Sequence, residues 1–346
     1  MSCERVFQPQ FQNKPVVVLS NNDGCVISRS EEAKALGIPM GAPEFQYKDL
    51  IKQHNIQVFS SNYALYGDLS NRVMKTLQDF TTDIENYSID EAFLNFEKVK
   101  IDDYNDYGIQ IKKRIQKWVG IPVCVGFGET KALSKIANRI AKKFKERTAG
   151  VYVIDTEEKR NKALKWTKIE DVWGIGYRLS KKMKAKNIHT AYDFTLTHNT
   201  TYIQNCMGVL GLRLQMELQG KSVLQLEEQA SAKKSIAVTR TFEKSVSTFE
   251  EMKERVSTFA TVASEKLRKQ NSCCYGIVLY IRKNQYQTSS NRYNYTTFTH
   301  LPFATQSALT LSQTAIKMLK NVFEEGEIYN KAGIILTEII PQEEKQ

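Results

Sequence analysis

No stretch of the chain stays apolar for the ~18 residues that a bilayer crossing requires. The opening Met1-Ser2-Cys3-Glu4-Arg5 has neither the basic start nor the apolar core of a secretory leader. Both absences lead us to expect a cytoplasmic protein with no membrane partner. Cysteine is sparse and scattered (Cys3, Cys25, Cys124, Cys206, Cys273, Cys274), with no CxxC spacing, and the adjacent Cys273-Cys274 are poorly placed for an ordinary disulfide. The four histidines, His54, His189, His198 and His300, show no ligand spacing with cysteine or with each other, so no structural zinc site is expected. No repeat of fixed period and no low-complexity tract occurs. What is present fits a globular protein, with 41% hydrophobic and 25% charged residues. At 346 residues the chain exceeds one ordinary core, so two to four domains are expected.

Charge is unevenly placed. From Lys131 to Lys186 there are 17 Lys or Arg against 6 Asp or Glu, an excess of +11 that equals the net charge of the whole chain (49 − 38). The remainder therefore balances. One basic block on an otherwise neutral protein suggests a polyanion held at one place. A pair of solvated helices with lysine-rich faces explains the same counts.

Hydrophobic patterning supplies a coarse organisation. Lys14 to Ser20 reads as a buried, β-branched strand, and Cys25 to Ser28 as a second strand paired with it across the polar turn Asn21-Asn22-Asp23-Gly24. Ser30 is placed to cap a short helix from Glu31 to Leu36 that Gly37 ends. Leu69, Val73, Leu77 and Phe80 predict an amphipathic helix from Tyr66 to Phe80. A β-segment from Ile84 to Phe96, a helix from Tyr107 to Val119 and a strand from Ile121 to Phe127 buried on both faces follow. Leu133, Ile136, Ala137, Ile140, Ala141 and Phe144 then make one apolar stripe on a helix capped by Thr130. A strand from Gly150 to Ile154 completes β–α–β material. Short helices are expected from there to Gly220, and a linker around Gln225 to Ser231. The last part reads strand, helix, strand, strand, helix, strand, with helices from Thr248 to Lys269 and Thr305 to Glu324.

Three segments carry chemistry. In Tyr87-Ser88-Ile89-Asp90-Glu91-Ala92-Phe93-Leu94, two adjacent carboxylates interrupt an apolar β-segment, where charge is costly unless compensated. Mg²⁺ suits such hard oxygen donors, and two-metal phosphoryl transfer needs clustered carboxylates. In a straight strand Asp90 and Glu91 point to opposite faces, so both reach metal only if the chain bends there. A solvated hairpin turn bearing two acids is the other reading. In Val172-Trp173-Gly174-Ile175-Gly176-Tyr177-Arg178-Leu179-Ser180-Lys181-Lys182-Met183, a helix–GIG–helix pattern lets backbone N–H groups approach a phosphate, with Arg178, Lys181 and Lys182 around them. This resembles a helix-hairpin-helix grip on a DNA backbone. Asn187 stands where that pattern prefers glycine and tolerates the same left-handed backbone. A plain helical hairpin is the alternative. On the third segment, the lysine helix, Lys135 and Lys142 lie seven residues apart and share a face on which a triphosphate could be held, or which is simply solvated.

In combination, the segments Val16 to Ile27 (VVVLSNNDGCVI), Ser60 to Tyr63 (SSNY), Tyr66 to Met74 (YGDLSNRVM), Tyr87 to Phe93 and Asp171 to Gly176 (DVWGIG) resemble the Y-family DNA polymerases of the bacterial polymerase V catalytic-subunit (UmuC) type, over nearly the whole chain. The resemblance implies an α+β, multidomain right-hand polymerase. It assigns 1–65 to fingers plus a remnant of N-terminal palm, 66–155 to palm and 156–222 to a helix-hairpin-helix thumb. A linker at 223–232, an α/β little finger at 233–340 and a tail at 341–346 complete it. It implies an error-prone translesion nucleotidyltransferase of DNA repair and the SOS response, acting on primer-template DNA and deoxynucleoside triphosphates. Asp90 and Glu91 become catalytic Mg²⁺ ligands; Lys34, Lys135 and Lys142 contact the nucleotide. Gly174, Gly176, Arg178, Lys181 and Lys182 bind DNA, and the 21–27 turn lies over the nascent pair. A dimeric UmuD-type accessory subunit and a recombinase filament are the implied partners.

Two departures qualify this. Family members carry a strand with a metal-binding aspartate and an aromatic sugar gate directly before the Ser2-Cys3-Glu4 segment. The expectation for the chain as written is therefore an incomplete three-carboxylate site, a palm lacking a strand and feeble activity. The 341–346 segment lacks a glutamine–leucine–phenylalanine clamp-binding peptide, so sliding-clamp recruitment is not expected. A catalytically inactive DNA-binding remnant is the alternative reading, and a metal-dependent nuclease a weaker one.

Overall fold

Three consecutive valines, Val16 to Val18, favour a buried strand, since β-branched side chains pack well on a pleated surface. In the computed structural model, which describes residues 1–20, 22–227, 232–283 and 294–344, strand Val16–Leu19 is fully buried. Asn21 of the polar turn, residues 228–231 of the linker and 345–346 of the tail lie outside the described residues. The chain divides into two compact units, 1–18, 26–42 and 46–229 in the first and 19–25, 43–45 and 230–346 in the second.

In the first unit, Val16–Leu19 is the middle of a three-stranded sheet, between Val26–Arg29 and the parallel Gln57–Phe59. The Ser30 hydroxyl accepts both the Val16 amide (3.0 Å) and the Ala33 amide (3.2 Å), so one side chain closes the strand and caps helix Glu31–Ala35. The next helix is Tyr63–Leu77, starting and ending three residues earlier than the apolar spacing predicts. Asn62 sets its start by accepting the Leu65 amide (3.0 Å), and Phe80 falls beyond its end, packed edge-on against Tyr107. Helix Tyr104–Val119 is capped by Asp103 and stopped by Gly120 at φ +76°. Its buried Ile111, Ile115 and Val119 meet Leu69, Leu77, Phe127, Val151 and Val153 in one core.

The β–α–β material forms as read. Strands Val125–Gly128 and Val151–Ile154 pair in parallel, and helix Lys131–Lys143 joins them, capped by Thr130 and burying Ala132, Leu133, Ile136, Ala137, Ile140 and Ala141. The helix backbone lies so close to the strand that a Cβ on Gly126 would stand 2.1 Å from the Asn138 amide nitrogen. The expectation of burial on both strand faces is not met: only Phe127 of Val125–Gly128 is buried. Two of its four residues are glycines, and among the described residues it has one strand neighbour.

Helices Glu157–Trp166, Tyr177–Lys184, Ala191–Thr195 and Thr200–Leu218 share a core of Leu164, Met183, Ile188, Phe194, Ile203 and Leu218 with the lysine helix. The last of them spans 19 residues rather than being short, and it breaks at Gly208, whose φ of +63° and ψ of −150° are not helical.

The second unit follows the predicted order of elements. Strands Ile236–Val246, Ser272–Lys283, Asn294–Thr305 and Tyr329–Pro341 make a four-stranded sheet in the order third, second, fourth, first, with every neighbouring pair antiparallel. Helices Phe249–Lys269 and Ala308–Val322 contribute Met252, Val256, Leu267, Leu311 and Leu319 to its core. Thr305 belongs to the preceding strand, and Ser307 caps the second helix instead. Lys283 is wholly buried and pairs with Glu324 (2.7 Å) and Glu327 (3.2 Å). Among the described residues no helix is long and apolar enough to cross a membrane.

Candidate active site

The acid-bearing segment is a hairpin with a bent tip. Two-residue strands Ile84–Glu85 and Phe93–Leu94 pair antiparallel, and the Ser88 amide donates to the Glu91 carbonyl (3.0 Å) to close the turn. The predicted continuous β-segment is thereby corrected. A polar Ser-Ile-Asp-Glu run costs less on an exposed bend than in a ladder, because its charges stay hydrated. Asp90 is exposed, with its Oδ1 accepting from the Ser88 hydroxyl (2.7 Å). Glu91 is half-buried and its Oε2 takes the Lys135 ammonium at 2.7 Å.

The lysine helix supplies a row of cations facing this hairpin. Lys131, Lys135 and Arg139 are spaced four residues apart and so lie along one face. Lys131 and Lys135 meet two acids of the hairpin, the buried Glu85 and Glu91, and Arg139 meets Asp171 (2.6 Å). Lys135 also lies over three aromatic rings, 4.4 Å from the centroid of Tyr87 and 5.7 Å from those of Phe93 and Trp173. Those rings pack edge-on or tilted against one another at 5.4–5.7 Å, and the Trp173 indole N–H donates to the Tyr87 hydroxyl (2.9 Å). Under the start of the helix, the fully buried Glu217 carboxylate accepts the amides of Ala132, Val223 and Leu224, which satisfies its charge at a helix N-terminus. Lys131 donates to the Gln225 carbonyl, and Glu85 accepts the Glu227 amide.

The GIG segment sits on an open surface. The element before it is a single 3₁₀ turn, Ile169–Asp171, rather than the helix that the pattern predicts. Gly174 adopts φ +82°, and a Cβ on Gly174 or Gly176 would meet nothing within 4 Å, so the backbone there is bare. Gly176 starts helix Tyr177–Lys184, on which Arg178, Lys181 and Lys182 are exposed, Lys181 over the Tyr177 ring at 4.5 Å. Asn187 takes the left-handed backbone its sequence position suggested, at φ +59°. The Glu170 carboxyl is held below its usual range by its own backbone amide and by the Lys184 ammonium at 3.0 Å.

The structure thus brings together Glu91 and Lys135, with Asp90 next to Glu91 on the same bend, and links Lys135 to Trp173, the residue before Gly174. It leaves two expected nucleotide ligands elsewhere. Lys142 is exposed near the far end of the helix, and Lys34 pairs with Glu31 on its own helix. Tyr87, Lys131, Arg139, Trp173 and Glu217 escaped the sequence reading. The four-residue spacing of 131, 135 and 139 was a visible signal; their acidic partners, 32 to 46 residues away in sequence, were not. As to metal, adjacent carboxylates at an exposed bend fit Mg²⁺, which commonly takes one or two carboxylates and completes its shell with substrate phosphate and water. No group of three or more His, Cys, Asp or Glu able to hold an ion occurs among the described residues.

Comparison with known proteins shows the family. The impB/mucB/samB family matches residues 1–139, and the C-terminal domain of the same family matches 233–346. Protein UmuC of Salmonella typhimurium is 39% identical over 342 residues, covering 99% of this chain and 81% of the relative. Protein ImpB of Salmonella typhimurium is 38% identical, covering 98% and 80%. A solved Y-family DNA polymerase chimera of Dbh and Dpo4 superposes with a TM-score of 0.77 at 22% identity, covering 98% of this chain and 96% of that one, which shows the fold. The chain belongs to the impB/mucB/samB family and is a UmuC-type Y-family DNA polymerase.

Proposed function

We propose that the chain transfers deoxynucleotides onto a primer 3′ end opposite damaged template bases, with Asp90 and Glu91 as the metal-binding carboxylates. The observation that carries this is the meeting of Glu91 and Lys135 at 2.7 Å beside the exposed Asp90. Asp90 and Glu91 would hold Mg²⁺, which when bound would supply charge neutralisation for the triphosphate and activation of the primer hydroxyl. Lys135 is the cation nearest that charge, and it leaves Glu91 for a phosphate oxygen when nucleotide arrives, since charge-assisted N–H···O bonds favour either partner. Lys34 and Lys142 are assigned to the outer phosphates on family resemblance alone. Gly174, Gly176, Arg178, Lys181 and Lys182 grip the DNA backbone, where bare amides and cations position a duplex without reading its sequence. Primer–template DNA and deoxynucleoside triphosphates are the substrates. A UmuD-type dimer and a recombinase filament are the proposed partners, in the cytoplasm.

A DNA-binding remnant without chemistry is less favoured, because such a protein has no use for two adjacent acids on a bend beside the Lys135 ammonium. Primer extension past an abasic template site, with Mg²⁺, separates the two readings. It is run with the sequence as it stands and with an upstream Asp-x-x-x-Phe/Tyr strand fused to it. Mg²⁺-dependent extension that Asp90→Ala abolishes supports the polymerase. Normal DNA binding with no extension in either form overturns it.

A further inference from the structure

We propose that Trp173 and Tyr87 are positioning residues that set the Lys135 ammonium against Glu91 and tie its place to the Gly174–Gly176 backbone. The proposal rests on the reading of Glu91 and Lys135 as part of the nucleotide site. A long lysine side chain beside one carboxylate is ordinarily free to swing, because a flexible stem of about four carbons separates its charge from the backbone. Here it is not. The ammonium is held on one side by Glu91 Oε2 at 2.7 Å and on the other by the faces of Tyr87, Phe93 and Trp173. Aromatic faces carry negative charge density, so a cation placed over several of them is confined without a second carboxylate.

Tyr87 and Trp173 are themselves fixed. The indole N–H donates to the Tyr87 hydroxyl (2.9 Å), their rings meet edge-on at 5.6 Å, and both abut the buried Phe93. Trp173 is anchored from the other direction by its own segment, since Asp171 pairs with Arg139, one helical turn beyond Lys135. The residue after Trp173 is Gly174 at φ +82°, the start of the bare backbone proposed to grip DNA. A shift of that backbone moves the indole, the indole moves Tyr87, and the two together move the cation opposite the metal-binding acids. A plain packing role accounts for the ring contacts. It does not account for an indole N–H spent on a tyrosine that itself caps the lysine.

The test measures Mg²⁺·dATP binding to the chain on a dideoxy-terminated primer–template, read from the fluorescence of Trp173 where present and from equilibrium filtration otherwise. Trp118→Phe and Trp166→Phe remove the other two indoles. Trp173→Phe keeps a ring and loses the N–H; Tyr87→Phe loses only the hydroxyl. Each is expected to weaken dATP binding on the order of threefold to tenfold, the double variant no more than the stronger single, because both break one link. DNA affinity and thermal midpoint are expected to hold. Additive losses, a matching fall in DNA affinity, or dATP binding equal to the parent in both singles overturns the proposal. Lys135→Ala separates the two levels of inference. If it leaves dATP binding unchanged, the nucleotide-site reading itself fails; if it weakens binding while Tyr87→Phe and Trp173→Phe do not, only the positioning role fails.

Discussion

Two lysines in this chain each reach a carboxylate at 2.7 Å and an aromatic ring within about 5 Å, yet they do opposite work. Lys283 ends a 12-residue strand, is 0% exposed, and is shared by Glu324 and Glu327, while Tyr295 donates to the other oxygen of Glu324 (2.7 Å). Lys135 lies on a helix face at 19% exposure, and its partner Glu91 sits on a bend at 40%. A desolvated cation with two acids has nowhere to go: its hydration cannot be regained without opening the sheet. A half-exposed pair at a hairpin tip can be broken by an incoming phosphate or metal at small cost. The same ion-pair chemistry is therefore structural where the cation is wholly buried and shared by two acids, and available for function where the cation is part-exposed and has one.

That contrast is sharpened first at Lys283. Lys283→Met is expected to lower unfolding stability by roughly 2 kcal/mol, since the largely buried Glu327 loses its counter-ion while the half-exposed Glu324 regains water, measured by urea unfolding of parent and variant. The interaction also gives an acid limb. Lys283 first, then the Tyr295 hydroxyl, holds the Glu324 carboxyl below its ordinary range, while two carboxylates raise the Lys283 ammonium. The stabilisation is therefore complete above the ordinary glutamate value of about 4.3 and fades as pH falls through the lowered Glu324 value. On the alkaline side it fades only as pH rises through the raised lysine value. In the methionine variant the acid limb from Glu324 should shrink to the part that the Tyr295 hydroxyl supplies.

Lys135→Ala should behave in the opposite way. A charge-assisted contact to a phosphate is worth about 2 kcal/mol, or roughly thirtyfold in triphosphate affinity, while stability changes little because the pair is half-exposed. Equal losses of stability in both lysine variants would erase the distinction. Smaller again, Lys181→Ala and Lys182→Ala should each reduce the salt dependence of DNA binding by about one unit of slope, uniformly across sequences. Loss confined to particular sequences would point to base contacts instead. Smallest, Asn187→Ala should cost about 1 kcal/mol, because an alanine at φ +59° carries the steric penalty of the left-handed region, whereas Asn187→Gly should be nearly neutral.

Much of this was legible in the residues. The lysine helix declared itself because its apolar stripe, its Thr130 cap and its basic face are all local signals, and so did Ser30 and Asn187. The hairpin at 84–94 did not. Its tip has neither glycine nor proline, and two-residue strands are too short to show a period, so Tyr87 to Leu94 looked like one strand with two misplaced acids. The role of Trp173 was invisible for another reason. Its partner Tyr87 is 86 residues away, and nothing in DVWGIG says which element its indole will meet. The sequence-level choice between a metal site and a solvated turn was also a false opposition: the acids occupy a turn at the surface, where the proposed metal role remains open to them.

The central claim is that Asp90 and Glu91, presented on that turn, hold the ions for nucleotidyl transfer. The most direct test is single-nucleotide incorporation in Mg²⁺ by the strand-fused form, comparing the parent with an Asp90→Asn, Glu91→Gln double variant at matched DNA occupancy. Isosteric amides keep the turn and remove the charge, so the rate is expected to fall by at least about a thousandfold. Incorporation at the parental rate with both charges removed would contradict it.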